Sequence, residues 1–296
     1  MHLISIDSLS DEQIAILLDA ADLFARTNRE RARGSDKLAG RTVLHLFYEN
    51  STRTAMSFAM AASRLGATPL TLPVERSSVQ KGETLEDTAR TLNAMRPDAL
   101  VVRHRENGAV QRVAELMDCP VLNAGDGTNE HPTQALLDAL TLRQHFGSLE
   151  GLTVAICGDI RHSRVARSNA KLLPRLGAHV RLAGPPGLLP DEAAESGDIE
   201  EAIAGADAVM MLRIQRERLD QDLGDAPGEF LSRYGLTAER LQLAAPHAVV
   251  MHPGPMNRGV EIASEVADLA ERSLILRQVE NGVAVRMACL DLLIEA

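Results

Sequence analysis

The sequence predicts an α/β protein of two lobes, each a parallel β-sheet flanked by helices and joined by interdomain helices. Three observations predict it. Short β-rich runs alternate with helical periods along the chain. Some of the runs, Ala99-Leu100-Val101-Val102 and Val209-Met210-Met211-Leu212 among them, are apolar throughout, as in strands covered on both faces. The length of 296 residues suffices for two ordinary domains.

Ser10 with Gln13 three residues later reads as a capping box, and Ile14, Leu17, Leu18, Ala21 and Phe24 recur at helical spacing, so the chain opens with a helix. Thr42-Val43-Leu44-His45-Leu46-Phe47 reads as a strand, followed by a polar turn and a helix over about 53–65. Residues 68–72 read as extended, 83–95 as helical, 99–103 as extended, 109–116 as helical and 121–122 as extended. Pro132 suits the first turn of a helix, which Ala135, Leu136, Ala139, Leu140 and Leu142 carry to about 146, where Gly147 closes it. A second series follows: a strand at 152–157, a helix at about 164–176, and strands at 179–183, 206–212 and 247–251. The stretch 221–235, with Gly224, Asp225, Pro227 and Gly228, reads as a loop, either a lid or an ordinary connection. A last helix over 282–294 is expected to return to the first lobe. The domains are drawn as 1–131 and 132–296, apart from that returning helix.

Composition excludes several functions. Apolar residues make up 45% and charged residues 24%, as in a globular protein with real cores. A net charge of −10 repels nucleic acid and anionic lipid, although arginines can still make a positive pocket locally. With no tryptophan, two tyrosines and five phenylalanines, base-stacking platforms are not expected. Cys119, Cys157 and Cys289 have no C-x-x-C spacing, which fits neither a disulfide framework nor a zinc ribbon and points to a reducing compartment. The N-terminus lacks a basic region followed by a long apolar run, and no segment approaches 18 apolar residues. A cytoplasmic location with no membrane partner is the expectation.

Ser51-Thr52-Arg53-Thr54 follows a strand and starts a helix, which puts hydroxyls, a guanidinium and unpaired N–H groups at a positive helix end. That is anion-binding chemistry, although Ser51 alone reads equally as an N-cap. Arg103-His104, His131-Pro132-Thr133-Gln134 and Arg213-Ile214-Gln215 also follow apolar runs or open a helix. Each reads either as a site residue, or as an exposed end or a satisfied structural pair.

Taken together, these segments resemble the aspartate and ornithine carbamoyltransferase family through nearly the whole chain. The resemblance rests on Phe47-Tyr48-Glu49-Asn50-Ser51-Thr52-Arg53-Thr54, Ser77-Ser78-Val79-Gln80-Lys81-Gly82-Glu83-Thr84, Val102-Arg103-His104, His131-Pro132-Thr133-Gln134-Ala135-Leu136-Leu137-Asp138 and His252-Pro253-Gly254-Pro255. It implies that Ser51, Thr52, Arg53, Thr54 and Arg103 hold the phosphate of carbamoyl phosphate. His131 would contact the carbamoyl oxygen, and Gln134 the carbamoyl amino group. Pro253 and Gly254 would offer backbone carbonyls, with a cis peptide before Pro255. Arg164, Arg213 and Gln215 would grip the carboxylates of L-aspartate, together with Lys81. Ser77 and Lys81 lie on a loop that in this family reaches the neighbouring subunit's site, so a homotrimer with shared sites is implied. The expected reaction is carbamoyl transfer to L-aspartate, early in pyrimidine biosynthesis. No metal or other cofactor is called for, and closure of the lobes would exclude water.

Three rivals are weighed. An ornithine-specific member would carry His-Cys-Leu-Pro at 252–255, and Arg213 suits a carboxylate better than an ammonium. A nucleotide-binding protein would need a G-x-G-x-x-G turn that Gly158-Asp159-Ile160-Arg161 does not supply. A regulatory homologue without activity would be expected to have lost anion-site residues, and all are present. Ala55, Ala59 and Gly254 depart from residues common in the family, and Glu49 and the residues 216–218 are candidates for closure salt bridges. The sequence leaves open whether a regulatory chain or a dihydroorotase-type partner joins the assembly.

Overall fold

The computed structural model describes residues 1–30, 34–190, 198–214 and 228–295. Among them, eight strands form two four-stranded sheets in which every neighbouring pair is parallel. Contacts divide the chain into one unit of Met1–Gln144 with Val279–Ala296 and a second of His145–Gln278.

The first unit runs α1 (Asp11–Arg29), β1 (Thr42–Phe47), α2 (Thr52–Arg64), β2 (Thr68–Leu72), α3 (Leu85–Ala94), β3 (Ala99–His104), α4 (Ala109–Ala114), β4 (Val121–Asp126) and then α5 (Pro132–Phe146). Its sheet order is β2-β1-β3-β4. Helix α1 starts where the capping box places it: Ser10 Oγ accepts from Gln13 N at 3.1 Å and Gln13 Oε1 from Ser10 N at 2.9 Å. Every residue of β3 and β4 is buried, whereas edge strand β2 is mostly exposed. Leu46, Leu100, Val102, Val113 and Val121 share one core between the sheet and its helices.

The second unit contains β5 (Thr153–Cys157), α6 (Arg164–Arg175), β6 (His179–Ala183), α7 (Ile199–Ile203), β7 (Ala208–Met211), α8 (Glu229–Tyr234), α9 (Ala238–Leu241), β8 (Val249–Met251) and α10 (Ser264–Ala267). Its order is β6-β5-β7-β8, and Ala155, Val209, Met211, Val250, Ile262 and Val266 lie in its core. Helix α11 (Ile275–Glu295) ends the chain, and its residues from Val279 onward count with the first unit.

In each sheet the chain passes from a central strand to one edge and then returns to the other side. The switch therefore falls between β1 and β3 in the first unit and between β5 and β7 in the second. Loops leaving such strands are where open parallel sheets bind ligands.

Several elements differ from the sequence expectation. Contacts group residues 132–144 with the first unit, where the sequence reading begins the second domain at 132, and Pro132 through Leu142 are all buried. Helix α11 begins at Ile275 rather than 282. Part of the stretch read as a loop is helix α8, and residues 215–227 lie outside the described residues. The short helices α7, α9 and α10 carry too few turns for their periodicity to be read. Among the described residues, no helix is long and apolar enough to cross a membrane.

Candidate active site

In the first unit, candidate groups gather at the C-terminal ends of adjacent strands. Phe47 pairs with Arg103 in the β1–β3 register, and Tyr48 N donates to Arg103 O at 2.9 Å. The chain after β1 thus starts beside the end of β3. Ser51 is in extended conformation and caps α2: its Oγ accepts from Thr54 N at 3.4 Å and donates to Thr54 Oγ1 at 3.0 Å. Thr54 is buried, whereas Thr52 and Arg53 are exposed on the first turn, with their side chains and the turn's N–H groups at the positive helix end.

Arg103 is 8% exposed and held from two directions, by Ala124 O at 3.0 Å from Nη1 and by Glu49 Oε1 at 2.9 Å from Nη2. Glu49, a candidate for a closure salt bridge, therefore pairs with Arg103 in its own unit. Beside it, the His104 ring lies 4.8 Å from that of Tyr48, and His104 Nδ1 accepts from Glu106 N at 3.0 Å. Burial is the largest influence lowering the His104 pKa.

His131 is reached through a tightly fastened loop. Asn123 Nδ2 donates to Ile4 O at 2.7 Å, and Glu130 Oε2 accepts from Ile6 N at 2.9 Å, which ties the chain around β4 to the N-terminal segment. The backbone of Asp126 also donates to Glu130 O at 3.1 Å. His131 is buried and its carbonyl accepts from Gln134 N at 2.9 Å, so it stands at the start of α5 with Pro132 in the first helical position. Gln134 is buried, and its Nε2 donates to Asp138 Oδ1 at 3.0 Å. That hydrogen bond orients the amide and leaves its oxygen as an acceptor. Asp138 belongs to the quoted motif but had no role assigned to it; its complete burial is the feature that draws attention.

Ser77 and Lys81 lie farther along the chain, after edge strand β2. Ser77 Oγ donates to Val74 O at 2.9 Å and accepts from Val79 N at 3.3 Å, capping the 3-10 turn Ser78–Lys81. Lys81 is exposed at its end, before Gly82 at φ 94°.

In the second unit, loops again leave the two central strands. Gly158 follows β5 at φ 130°, and a Cβ there would lie 2.8 Å from Leu212 O. Only glycine lets the two strand ends run this close. Asp159 is 1% exposed and its Oδ1 receives His162 N at 3.1 Å and lies 2.9 Å from His162 Nδ1, while Ser163 Oγ accepts from Ala166 N at 3.1 Å to cap α6. These bonds place Arg164, half-buried, as the first residue of α6. Arg213, also half-buried, follows β7, whose extension is tied to β5 by Leu212 N donating to Cys157 O at 2.8 Å. Two guanidinium side chains thus issue from neighbouring strand ends. Gln215 lies outside the described residues, as do the residues 216–218.

Beyond β8, the segment Pro253-Gly254-Pro255 is half-buried at Pro253 and Gly254, with Gly254 at φ 68° and a cis Gly254–Pro255 peptide. His252 anchors it: its N donates to Gln278 Oε1 at 2.9 Å, and its Nδ1 accepts from Gly254 N at 2.8 Å. Sequence reasoning missed the partner of this histidine, Glu261, which is fully buried nine residues later. A carboxylate flanked by Val260 and Ile262 was the available signal.

The arrangement offers a group of hydroxyls, N–H groups and cations at strand ends in one unit and two half-buried arginines at neighbouring strand ends in the other. Comparison with known proteins gives the same division. The profile for "Aspartate/ornithine carbamoyltransferase, carbamoyl-P binding domain" matches residues 1–144, and that for "Aspartate/ornithine carbamoyltransferase, Asp/Orn binding domain" matches residues 150–293. The chain is 57% identical over 297 residues to the aspartate carbamoyltransferase catalytic subunit of Rhizorhabdus wittichii, covering 99% of this chain and 94% of that one. It is 58% identical over 301 residues to the protein of the same name from Gluconobacter oxydans, covering 100% and 96%. Among solved structures, aspartate transcarbamoylase from Trypanosoma cruzi in complex with carbamoyl aspartate and phosphate superposes with a TM-score of 0.87 at 33% identity, covering 98% and 94%. Ornithine carbamoyltransferase from Pyrococcus furiosus does so with a TM-score of 0.89 at 28% identity, covering 100% and 97%.

Proposed function

The chain belongs to the aspartate/ornithine carbamoyltransferase family, and from that premise we propose that it transfers the carbamoyl group of carbamoyl phosphate to the amino group of L-aspartate. The products are N-carbamoyl-L-aspartate and phosphate, as in pyrimidine biosynthesis. The observation that carries the choice of aspartate is the match along nearly the whole chain to relatives named aspartate carbamoyltransferase catalytic subunits. Arg213 supplies the chemical reason: a guanidinium there attracts a second carboxylate and repels the ammonium of ornithine.

In this reading, Ser51, Thr52, Arg53, Thr54 and Arg103 take the phosphate group. Charge-assisted hydrogen bonds of about 1.5–3 kcal/mol each make a handful sufficient for a small dianion, even on a chain of net charge −10. His131 donates to the carbamoyl oxygen, stabilising the charge that grows there as the amine attacks. Gln134 and the carbonyls of Pro253 and Gly254 hold the carbamoyl nitrogen and the incoming amine. Arg164, Arg213 and Gln215 clamp the aspartate carboxylates. The amine lone pair forms the new C–N bond, the C–O bond to phosphate breaks with its electron pair leaving on phosphate, and phosphate takes the amine proton. Proximity and orientation alone are worth roughly 7–11 kcal/mol in such a step.

Lys81 and Ser77 are assigned to the site of a neighbouring subunit, which makes a homotrimer the working unit. The exposed position of Lys81 supports this reading. The three buried free cysteines suit a reducing cytoplasm.

Phosphate release from carbamoyl phosphate, measured with L-aspartate, L-ornithine or no amine and with the product weighed by mass spectrometry, tests the reaction. Aspartate-dependent release of carbamoyl aspartate is expected; release with ornithine alone would overturn the substrate assignment. Mixing Arg53→Ala chains with Lys81→Ala chains, each inactive alone, should restore partial activity when sites are shared between subunits.

A further inference from the structure

Helix α11 carries one guanidinium inside an otherwise apolar stretch, Val283-Ala284-Val285-Arg286-Met287-Ala288-Cys289-Leu290. Arg286 is 3% exposed, and its Nη1 donates to Ser57 Oγ at 2.6 Å and to Gly282 O at 3.2 Å. The guanidinium carbon lies 5.0 Å from the centre of the Phe58 ring, a cation–π arrangement. Ser57 passes the contact on, because its Oγ lies 2.6 Å from Arg53 O and 3.0 Å from Thr54 O. One hydroxyl therefore accepts from Arg286 and donates to the carbonyls of two residues in the phosphate-binding turn.

Burial lowers the Arg286 pKa to about 10, so the group remains cationic at neutral pH. The backbone is built to admit it: a Cβ on Gly282 would lie 2.7 Å from Arg286 Nη1 and 3.4 Å from Leu137 Cδ2. A side chain needed only to fill this space would be apolar, since desolvating a cation carries a large penalty that an aliphatic residue avoids.

We propose that Arg286 is a positioning residue for the carbamoyl phosphate half of the reaction, setting the first turn of α2 through Ser57. The inference rests on the assignment of that turn to phosphate binding. It distinguishes placement of the site from general stability, because a purely structural arginine would change the melting temperature and leave the phosphate affinity of the folded chain as it was.

The test uses the full chain with inorganic phosphate as the binding probe, alongside steady-state kinetics. Ser57→Ala removes the relay hydroxyl and little else, Arg286→Met keeps the length of the side chain without its charge, and Arg53→Ala serves as the control for the site itself. Ser57→Ala and Arg286→Met are each expected to raise the phosphate Kd and the KM for carbamoyl phosphate by about tenfold, about 1.4 kcal/mol. The KM for aspartate at saturating carbamoyl phosphate should stay within about twofold. The double variant should be no weaker than Arg286→Met alone, because both changes cut one chain of contacts. If Arg286→Met fails to fold, Ser57→Ala carries the same test. Ser57→Ala and Arg286→Met binding phosphate like the unmodified protein, while Arg53→Ala has lost it, would overturn this inference alone. An Arg53→Ala chain that still binds phosphate normally would overturn the site assignment and the inference with it.

Discussion

Nε2 of His252 lies 3.2 Å from Oε1 of Glu261, and both residues are buried, at 1% and 0% exposure. Because His252 Nδ1 accepts from Gly254 N, the ring proton sits on Nε2 and points at the carboxylate. The same oxygen accepts from Asn257 N at 2.5 Å. Glu261 therefore fixes the ring that fixes the Pro253-Gly254 turn. Glu261→Ala should leave the buried His252 N–H unsatisfied, at about 1–3 kcal/mol, and the half-buried Asn257 N–H without its acceptor. The urea midpoint should fall, and kcat should fall with it as Gly254 O loses its place; Glu261→Gln, which keeps an acceptor at Oε1, should retain most of both.

Arg213 is the residue on which amine selectivity is expected to turn. Losing a bidentate pair worth about 3 kcal/mol, Arg213→Leu should raise the KM for aspartate roughly 100-fold. The KM for carbamoyl phosphate should be unchanged, since Arg213 is assigned to the aspartate carboxylates and to no group of carbamoyl phosphate. Initial rates with each substrate varied in turn check both halves of the statement.

His45 gives the fold an acid-sensitive point. It is 1% exposed on β1 between the rings of Phe47 and Phe58, and burial lowers its pKa from 6.5 to about 4. An unfolded chain takes the proton near 6.5 and the folded chain only near 4, so between these values the unfolded state binds more protons. Stability from this residue is thus complete above pH 6.5 and lost as pH falls toward 4, by up to about 3 kcal/mol. Urea melts across that window should show the slope, and His45→Gln should flatten it.

The cysteines should be inert in the folded chain. Burial pushes the Cys119 thiol up to about 11 and those of Cys157 and Cys289 up to about 12, leaving almost no thiolate at neutral pH. A thiol-reactive disulfide reagent should label none of them over minutes in buffer and all three in denaturant. Rapid labelling of native chain at any one would show that its cover opens.

Much of this was legible from residue order alone. The Ser51 cap, the Pro132 helix start and the alternation of strand and helix are local signals, and they placed the start of α2, the start of α5 and the central strands. What escaped was set by contacts distant in sequence. Gly282 reads as the beginning of a helix because glycine weakens helix interiors, yet it lies in the third turn of α11, where it makes room for Arg286. The boundary within 132–144 was hidden because α5 is covered on every face along much of its length, so no change of composition marks where one core ends. Glu261 gave no hint that it belongs to His252, nor Ser57 that it belongs to Arg286.

The first unit is assembled from both ends of the sequence, residues 1–144 and 279–296. During synthesis, the residues 145–278 leave the ribosome before the segment that completes the earlier core. The second unit can fold on emergence, while the first must wait with the α2 side of Ser57 and Phe58 uncovered until α11 arrives. The turn proposed to hold phosphate is therefore expected to mature last, so an unfinished chain would hold a formed sheet around β5 before that turn is set.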